Sequence, residues 1–216
     1  MKLVLFDCDG TLVDSGLLIH QVMSETFGHF GLPAPEYSRT KSVIGLTLDT
    51  AIARILGQEE IDERITEMAL HYKQTFAPVR ARPGFAEPLF DGIREVIDTL
   101  AAQEAILMGA VTGKSRRGLE PIAEAHGFSR HFFVSRTADE CPSKPHPAMV
   151  LECCGESGVD PSRTVVIGDS VYDILMAKSA GARAVAVSWG YGDVDEMKAA
   201  GADAIMIGNL FAGTEE

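Results

Sequence analysis

Short apolar runs rich in β-branched residues recur along the chain and alternate with longer stretches of helical periodicity. The runs cover residues 2–6, 105–111, 132–134, 164–167, 184–187 and 204–207. Between them, apolar residues recur every three or four positions, as at Ile93, Val96 and Leu100. Strands that are apolar on both faces and alternate with helices are typical of a buried parallel sheet. The pattern therefore predicts an α/β fold, with a doubly wound parallel sheet and helices on both faces.

Residues 16–80 interrupt this alternation, because they show helical periodicity but no strand-like run. Three apolar helical faces are visible in the segment: Val22, Met23, Thr26, Phe27 and Phe30; Ala51, Ile52, Ile55 and Leu56; and Ile61, Ile65, Met68, Ala69 and Tyr72. A stretch rich in Pro and Gly, residues 78–88, marks the return to the alternating pattern. The segment is therefore predicted to be a helical insert in the α/β core.

The insert divides the chain into two predicted domains. We expect a core of residues 1–15 and 81–216 and an α-helical cap domain of residues 16–80. The hinges between them are predicted at residues 13–16 and 79–88. A mobile cap is favoured because the insert begins beside Asp7 and Asp9, and a helical subdomain that never moves is the alternative.

The composition is that of an ordinary globular protein, with 46% hydrophobic and 23% charged residues among 216. This length accommodates one or two domains. The 31 acidic residues outnumber the 19 Lys and Arg residues, which gives a formal net charge of −12. Such a charge argues against nucleic acid or an anionic membrane as the main partner. An anionic substrate would therefore depend on a local site and a bound cation.

Features of a membrane protein or an exported protein are not evident. No apolar run approaches the roughly 20 residues that span a bilayer, and the first run leads directly into Asp7 rather than into a cleavage site. The cysteines Cys8, Cys141, Cys153 and Cys154 lack the spacing of a zinc site, and the last two are expected to be reduced thiols in or near the core. We expect a cytoplasmic protein, either a monomer or a homodimer.

The first apolar run ends in Asp7 and Asp9, and Gly10 and Thr11 follow at once. In an open α/β sheet, chemistry takes place beyond the carboxyl ends of the strands. Two carboxylates at that edge could divide the work, since one can attack an electrophile while the other transfers a proton. They could also help to bind a hard divalent cation. Taken alone, the run is also compatible with an ordinary Asp/Gly turn.

Two further segments carry groups that suit an anion. Thr112 and Gly113 follow the second apolar run, so a hydroxyl and free backbone N–H groups could bind an anion there. The alternative is that Thr112 caps the next helix. Lys144 lies in a loop with two prolines and could neutralise charge on a phosphoryl oxygen, although most lysines are solvated. His146, between these prolines, is expected to be exposed.

The fourth apolar run ends in Gly168 and Asp169, and Asp173 follows four residues later. Asp169 would lie at the carboxyl end of the strand, and Asp173 one helical turn further on the same side. Together with the carboxylates of the first run, they would form an oxygen-rich site suited to Mg²⁺. For this helix alone, the alternative is an N-cap Asp followed by a surface Asp.

The order of these motifs is more specific than any one of them. The chain presents Asp-x-Asp-x-Thr, a strand-end Thr, Lys-Pro-x-Pro and Gly-Asp-Ser-x-x-x-Asp. This combination resembles the haloacid dehalogenase-like hydrolase superfamily, and within it the phosphoglycolate phosphatase-like group with a helical cap. The resemblance runs from Lys2 to about Leu210 and implies a Rossmann-like catalytic core.

The resemblance also implies roles for individual residues. Asp7 matches the nucleophile that forms an aspartyl-phosphate, and Asp9 matches the general acid–base. Thr112, with Gly113 beside it, matches the phosphate-binding position, and Lys144 matches the charge-neutralising lysine.

The same resemblance implies a Mg²⁺ cofactor. The Asp7 carboxylate, the Asp9 backbone carbonyl and Asp169 match the metal ligands of the family. Asp173 matches the second acidic position, which binds the metal, binds it through water or orients Lys144.

Positions outside the four motifs bear on the substrate. Gly45 matches a substrate-specificity loop of the family, although an inter-helix turn with Thr47 as N-cap is the alternative. Ile19 stands where sugar-phosphate mutases of the family carry a His, which disfavours a mutase. Residues 188–193 resemble a loop of phosphoglycolate phosphatases, or form only a Gly-rich connection.

The resemblance thus implies a Mg²⁺-dependent phosphatase acting on a small phosphorylated metabolite, with 2-phosphoglycolate as the leading candidate. The alternatives are a sugar-phosphate mutase or sugar phosphatase of the same fold, and a non-catalytic phosphate-binding member.

Overall fold

The computed structural model describes residues 1–208 and contains a six-stranded parallel sheet. Its strands are β1 (Lys2–Phe6), β2 (Ile106–Val111), β3 (Phe132–Arg136), β4 (Thr164–Gly168), β5 (Arg183–Val187) and β6 (Ala204–Met206). Their order across the sheet is β3-β2-β1-β4-β5-β6, and every neighbouring pair is parallel. This confirms the predicted doubly wound sheet. Residues 209–216, including Leu210 and the end of the predicted core, lie outside the described residues.

Nine α-helices are described within residues 1–208, besides two short 3₁₀ helices, Phe128–Arg130 and Pro161–Arg163. The α-helices are α1 (Gly16–His29), α2 (Tyr37–Lys41), α3 (Leu48–Leu56), α4 (Glu63–Arg80), α5 (Ile93–Ala101), α6 (Arg116–Ala125), α7 (Ala148–Ser157), α8 (Val171–Ser179) and α9 (Val194–Ala199). Within these residues, no helix combines the length and the hydropathy needed to cross a membrane.

Helices cover both faces of the sheet, as the two-sided apolar character of the strands predicts. Leu3 and Leu5 of β1 belong to a core cluster with residues of α7, α8 and α9. Val4 and Phe6 belong to a second cluster with residues of α5 and α6. Because successive side chains of a strand point to opposite faces, β1 is buried between two helical layers. The carboxyl end of β1 therefore lies at the carboxyl edge of the sheet, near its centre and between these two layers.

Helices α1 to α4 have an apolar core of their own, to which the buried side chains of Val22, Ile52, Ile65 and Met68 contribute. One expectation for this segment was wrong. Ile61 does not join the third apolar face but precedes α4 and is 52% exposed. The physical reason is that Asp62 is the N-cap of α4, since its side chain accepts a hydrogen bond from the backbone N–H of Ile65.

The connections on either side of the helical segment lie next to each other. The N–H of Asp14 donates to the carbonyl of Pro88 at 2.9 Å, and the N–H of Phe90 donates to the carbonyl of Leu12 at 3.1 Å. Helix α4 continues to Arg80, the last residue of the predicted cap, so its final two residues overlap the predicted hinge. Both connections leave the core at the carboxyl edge of the sheet, so the helical segment is placed directly over the end of β1.

Candidate active site

Asp7 follows β1 directly, and its buried side chain lies against a buried lysine. Lys144 is 1% exposed, and its Nζ lies 2.8 Å from Asp7 Oδ1. The same ammonium donates a hydrogen bond of 2.6 Å to Asp173 Oδ1. Burial raises the pKa of Asp7 well above its usual range, although Lys144 partly offsets this. The alternative, that Lys144 is a solvated surface residue, is therefore wrong.

Three carboxylates meet at this point and leave an excess of negative charge. Oxygen atoms of Asp7, Asp169 and Asp173 all lie within 4.8 Å of one another. Against these three charges stands the single ammonium of Lys144, so the group carries two net negative charges if fully ionised. Within residues 1–208, Asp7 Oδ1 is contacted by the Lys144 ammonium, whereas its buried Oδ2 has no hydrogen-bond partner. A hard divalent cation such as Mg²⁺, which prefers oxygen ligands, fits both the charge and these oxygens.

Asp169 is fixed by contacts from two other loops. Thr11 Oγ1 donates to Asp169 Oδ1 at 3.1 Å, and the backbone N–H of Tyr191 donates to Oδ2 at 2.8 Å. A Cβ at Gly10 or at Gly190 would lie 2.2 Å from an Asp169 side-chain atom, so both positions require glycine. Burial and then Asp173 raise the pKa of Asp169 to about 7. A bound cation would oppose this rise and favour the carboxylate.

Neither Asp169 nor Thr112 is the helix cap that the alternative interpretations allowed. Ser170 is the N-cap of α8, and its side chain and that of Asp173 form a capping box. Ser115 is the N-cap of α6 and accepts a hydrogen bond from the backbone N–H of Gly118. The carboxylate of Asp169 and the hydroxyl of Thr112 are thus not used in capping. His146 is exposed, as expected.

Asp9 lies at the boundary between the core and the helical segment. Its Oδ1 accepts a hydrogen bond from Ser15 Oγ and lies 3.0 Å from Lys114 Nζ. No protein hydrogen bond to Asp9 Oδ2 is found among residues 1–208. Lys114 also pairs with Glu87 at 3.2 Å, and Glu87 pairs with Arg80 at 2.7 Å. A chain of alternating charges therefore runs from Asp9 to the C-terminal end of α4.

The phosphate-binding candidates on the second strand lie against the helical segment. Thr112 Oγ1 accepts a hydrogen bond of 3.1 Å from the backbone N–H of Lys114, which leaves its proton available to a ligand. A Cβ at Gly113 would lie 2.5 Å from the carbonyl oxygens of Gly45 and Leu46. Gly45 itself has φ +99°, a conformation that favours glycine. Glycine at position 113 thus permits the close contact between this loop and the core.

The sequence interpretation missed Lys114, Glu87 and Ser15 and left the role of residues 188–193 open. Tyr191 in that loop holds Asp169 through its backbone, and its hydroxyl accepts hydrogen bonds from the backbone N–H groups of Ser15 and Gly16. Lys114 stands in the Thr-Gly-Lys run that was noted for its hydroxyl, so its position beside Thr112 was the available signal.

A cavity of about 510 Å³ lies between the helical segment and the core. Asp9, Gly113 and Lys114 line it from the core, and Gly45 and residues of α1 and α4 line it from the helical segment. An organic group bound in this cavity would therefore lie next to the side chain of Asp9.

The family model for haloacid dehalogenase-like hydrolases matches residues 4–187. This range contains all four motifs and the buried cluster around Asp7. The chain belongs to the haloacid dehalogenase-like hydrolases. The resemblance stated from the motifs is thereby confirmed.

Curated relatives of this hydrolase are named phosphatases. A probable phosphatase IndB of Dickeya dadantii is 33% identical, with 92% of this chain and 86% of the relative covered. A phosphoglycolate phosphatase of Chromobacterium violaceum is 32% identical, with 92% and 90% covered. An N-acetylmuramic acid 6-phosphate phosphatase of Pseudomonas aeruginosa is 31% identical, with 88% and 83% covered.

A solved structure shares the fold of this hydrolase. The crystal structure of a predicted phosphoglycolate phosphatase from Haemophilus somnus superposes with a TM-score of 0.82, at 24% identity, over 96% of this chain and 94% of that chain. This similarity supports the fold and does not identify a substrate.

Proposed function

We propose that this hydrolase is a Mg²⁺-dependent phosphatase that cleaves a small phosphate monoester through an aspartyl-phosphate intermediate. The observation that carries the proposal is the buried group of Asp7, Asp169, Asp173 and Lys144 at the carboxyl end of β1. A site that only binds phosphate would have no need of a carboxylate placed among other carboxylates. The names of the relatives support the same class of reaction.

In the first step, an oxygen of Asp7 attacks phosphorus and the bond from phosphorus to the leaving oxygen breaks. The ammonium of Lys144 lies beside Asp7 and can neutralise charge on the transferring group. The hydroxyl of Thr112 and the N–H of Gly113 can donate to its oxygens. Asp9 donates a proton to the leaving alcohol from the side that faces the cavity.

In the second step, water attacks phosphorus and the bond from phosphorus to Asp7 breaks. Asp9, which has lost its proton, accepts one from this water. Phosphate leaves, and both carboxylates return to their starting state. Ser15 and Lys114 both donate to Asp9 Oδ1 and so hold the carboxyl group in one orientation, while Oδ2 is left to give and take the proton.

Asp7, Asp169 and the Asp9 backbone carbonyl are the proposed Mg²⁺ ligands, and Asp173 completes the acidic group. When bound, the cation would screen the carboxylates from the substrate phosphate and polarise its oxygens. The structural reasons to expect it are the excess of negative charge and Asp7 Oδ2, which has no hydrogen-bond partner among residues 1–208.

The helical segment, residues 16–80, is proposed to act as a cap that closes over the substrate. Its contacts with Gly113 and its paired connections to the core support this division into cap and core. Closure would exclude bulk water from the phosphoryl group.

2-Phosphoglycolate is a named candidate for the substrate, because a relative at 32% identity bears that activity in its name. A relative of nearly equal identity is named for an amino-sugar phosphate. The size of the cavity beside Asp9 is an observation that favours a sugar phosphate. A mutase is disfavoured, since Ile19 supplies no proton-transferring group at the cavity wall.

Phosphate release from p-nitrophenyl phosphate, measured with Mg²⁺ and with EDTA, tests the proposal. We expect turnover that requires Mg²⁺ and is abolished in Asp7→Asn, because an amide is a very poor nucleophile. The variant should remain folded, with a thermal midpoint at pH 7 that holds or rises, because the substitution removes a buried charge whose pKa is raised. Mg²⁺-dependent turnover in Asp7→Asn at even about a tenth of the wild-type rate would contradict the role of Asp7.

A further inference from the structure

The serine that begins α1 does not cap the helix with its side chain. Ser15 is the N-cap residue of α1, and serine is preferred there because its hydroxyl can accept from the first free backbone N–H groups. Among residues 1–208, however, the Ser15 side chain makes no capping hydrogen bond. Its buried hydroxyl donates to Asp9 Oδ1 instead. The start of α1 therefore needs another acceptor if Ser15 is to remain bound to Asp9.

Tyr191, which is distant in the sequence, supplies that acceptor. Its hydroxyl accepts hydrogen bonds from the N–H of Ser15 at 2.9 Å and from the N–H of Gly16 at 2.7 Å. These are two of the N–H groups that have no partner within the helix. The hydroxyl donates its own proton to Asp14 Oδ1 at 2.8 Å, so its lone pairs are free to accept from both N–H groups. A single phenol group thus completes the hydrogen bonding at the start of α1.

The loop that carries Tyr191 lies directly against Asp169. A Cβ at Gly190 would lie 2.2 Å from the Asp169 Cβ, and a Cβ at Gly192 would lie 2.1 Å from the Asp169 carbonyl oxygen. The loop therefore approaches Asp169 as closely as only glycine allows. The backbone N–H of Tyr191 adds a hydrogen bond of 2.8 Å to Asp169 Oδ2. The position of the Tyr191 hydroxyl is thus set by the core and not by the helical segment.

We infer that Tyr191 is a positioning residue for the acid–base Asp9 and that it acts through Ser15. The inference rests on the proposed function, because it concerns the orientation of the carboxyl group that protonates the leaving alcohol. Since Tyr191 satisfies the start of α1, the hydroxyl of Ser15 is left for Asp9. Without the Tyr191 hydroxyl, two N–H groups at a buried helix start lose their acceptor. Ser15 then moves to restore hydrogen bonds to the helix, and its hydroxyl leaves Asp9 Oδ1.

The activity of Tyr191→Phe on two substrates of similar shape tests this role. The leaving group of p-nitrophenyl phosphate needs little protonation, whereas phenyl phosphate releases a more basic phenolate. Because kcat/KM reports the steps up to release of this group, we expect it to fall about tenfold or more for phenyl phosphate and about threefold or less for p-nitrophenyl phosphate. The ratio of the two values does not depend on the fraction of folded enzyme. An equal loss on both substrates, or no loss on either, overturns the inference.

A double-mutant cycle shows whether Tyr191 acts through Ser15. Ser15→Ala should change the two rates as Tyr191→Phe does, and the double variant should be no worse than either single variant, since both substitutions remove the same contact with Asp9. Multiplied losses in the double variant, or a wild-type ratio of rates in Ser15→Ala, overturn the route through Ser15.

The Mg²⁺ requirement separates this route from one through Asp169. The Mg²⁺ concentration that gives half the maximal rate should be unchanged in Tyr191→Phe, because the backbone N–H that holds Asp169 remains. An increase of about tenfold or more, the scale expected when a metal ligand loses its support, would show that Tyr191 acts through Asp169 and would overturn the inference.

Tyr37→Phe is the matched control. A Cβ at Gly16 would lie 2.8 Å from the Tyr37 hydroxyl and 2.9 Å from the ring of Tyr191, so both phenol groups lie beside the start of α1. No hydrogen bond of the Tyr37 hydroxyl is found among residues 1–208, so Tyr37→Phe should leave both rates unchanged. The same selective loss in Tyr37→Phe would overturn the inference.

The wild-type protein separates the two possible failures. If it releases no phosphate from either substrate, the proposed function fails and the inference fails with it. If it turns over both substrates and Tyr191→Phe keeps the wild-type ratio of rates, the inference alone is overturned.

Discussion

Asp9 is the residue whose proposed role is most easily separated from that of Asp7. In Asp9→Asn the nucleophile remains, but the side chain can neither protonate the leaving oxygen nor activate water. With p-nitrophenyl phosphate, whose leaving group needs little protonation, the first step should proceed and the second should stall. Mass spectrometry of the acid-quenched variant should then show phosphate attached to Asp7.

The double variant Asp7→Asn/Asp9→Asn is the control for that experiment and should carry no phosphate. A steady-state rate equal to that of the wild type in Asp9→Asn would exclude Asp9 from proton transfer.

Lys114 is proposed to hold Asp9 rather than to react. Its side chain is 6% exposed and lies between Asp9 and Glu87. Burial alone would lower the pKa of Lys114, but the two carboxylates outweigh it and raise the pKa above its usual value. A lysine whose pKa rises on folding stabilises the folded state fully at any pH below its pKa in the unfolded chain. This stabilisation is lost only as the pH rises through the pKa of the folded state. The ion pairs therefore contribute in full at pH 7.

Lys114→Met should destabilise the fold strongly, because it leaves two carboxylates without their shared cation. Loss of one partner of a buried ion pair costs about 3–5 kcal/mol, which urea unfolding at pH 7 would measure. Lys178→Met is the matched control, since Lys178 is 40% exposed in its pair with Asp203 and such pairs are worth about 0–1 kcal/mol. Similar losses in the two variants would show that the Asp9–Lys114–Glu87 contacts contribute no more than surface pairs.

At the scale of elements, the contact between the Gly45 loop and the strand-end segment at Gly113 is predicted to control closure. Gly113→Ala would place a Cβ 2.5 Å from two backbone oxygens of the loop, so the cap would have to move outward. We expect kcat/KM for the best metabolite to fall by about tenfold or more, with little change in the free energy of unfolding.

Gly155→Ala in α7 is the control for that substitution, because no atom lies within 4 Å of the added Cβ. It should leave kcat/KM unchanged and stabilise the helix slightly, by about 0.5–1 kcal/mol. Unchanged kcat/KM in Gly113→Ala would mean that this contact does not govern closure.

The same scale shows what the sequence could predict. All six strands were found because their residues are apolar on both faces. Helix α2 was not predicted, because five residues are too few to show a helical period. Ile61 was misplaced because periodicity alone does not reveal where the N-cap Asp62 begins α4.

For the candidate site, the sequence predicted the residues within the motifs but not the residues that support them. The order of motifs singled out Asp7, Lys144 and Asp169, which the structure brings together or close by. Lys114 looks like any surface lysine in the sequence, and its partner Glu87 is 27 residues away. Such a pair can be found only when the fold brings α4, the second connection and the end of β2 together.

For the whole molecule, the arrangement of cap and core is predicted to restrict access to compact substrates. Tyr172 of α8 contacts the helical segment through Ser42 and Arg54, and the N–H of Thr47 donates to Ser143 in the core. These contacts leave a cavity that suits a metabolite, whereas a folded protein or a duplex would have to hold the cap away from the core. The formal net charge of −12 adds repulsion toward polyanions.

We therefore predict that kcat/KM for the best small monoester exceeds that for a phosphoserine peptide by about a hundredfold or more. The physical reason is that the peptide prevents closure, so that Asp9 acts in the presence of bulk water and loses the orientation that closure provides. Parallel assays of phosphate release, with free phosphoserine as the control for leaving-group chemistry, would measure this ratio. Both compounds release the same type of alcohol, so a difference between their rates reports access to the site. Phosphoserine should therefore be hydrolysed faster than the peptide that contains it. Comparable kcat/KM for the peptide and the best metabolite would show that the cap does not gate the site.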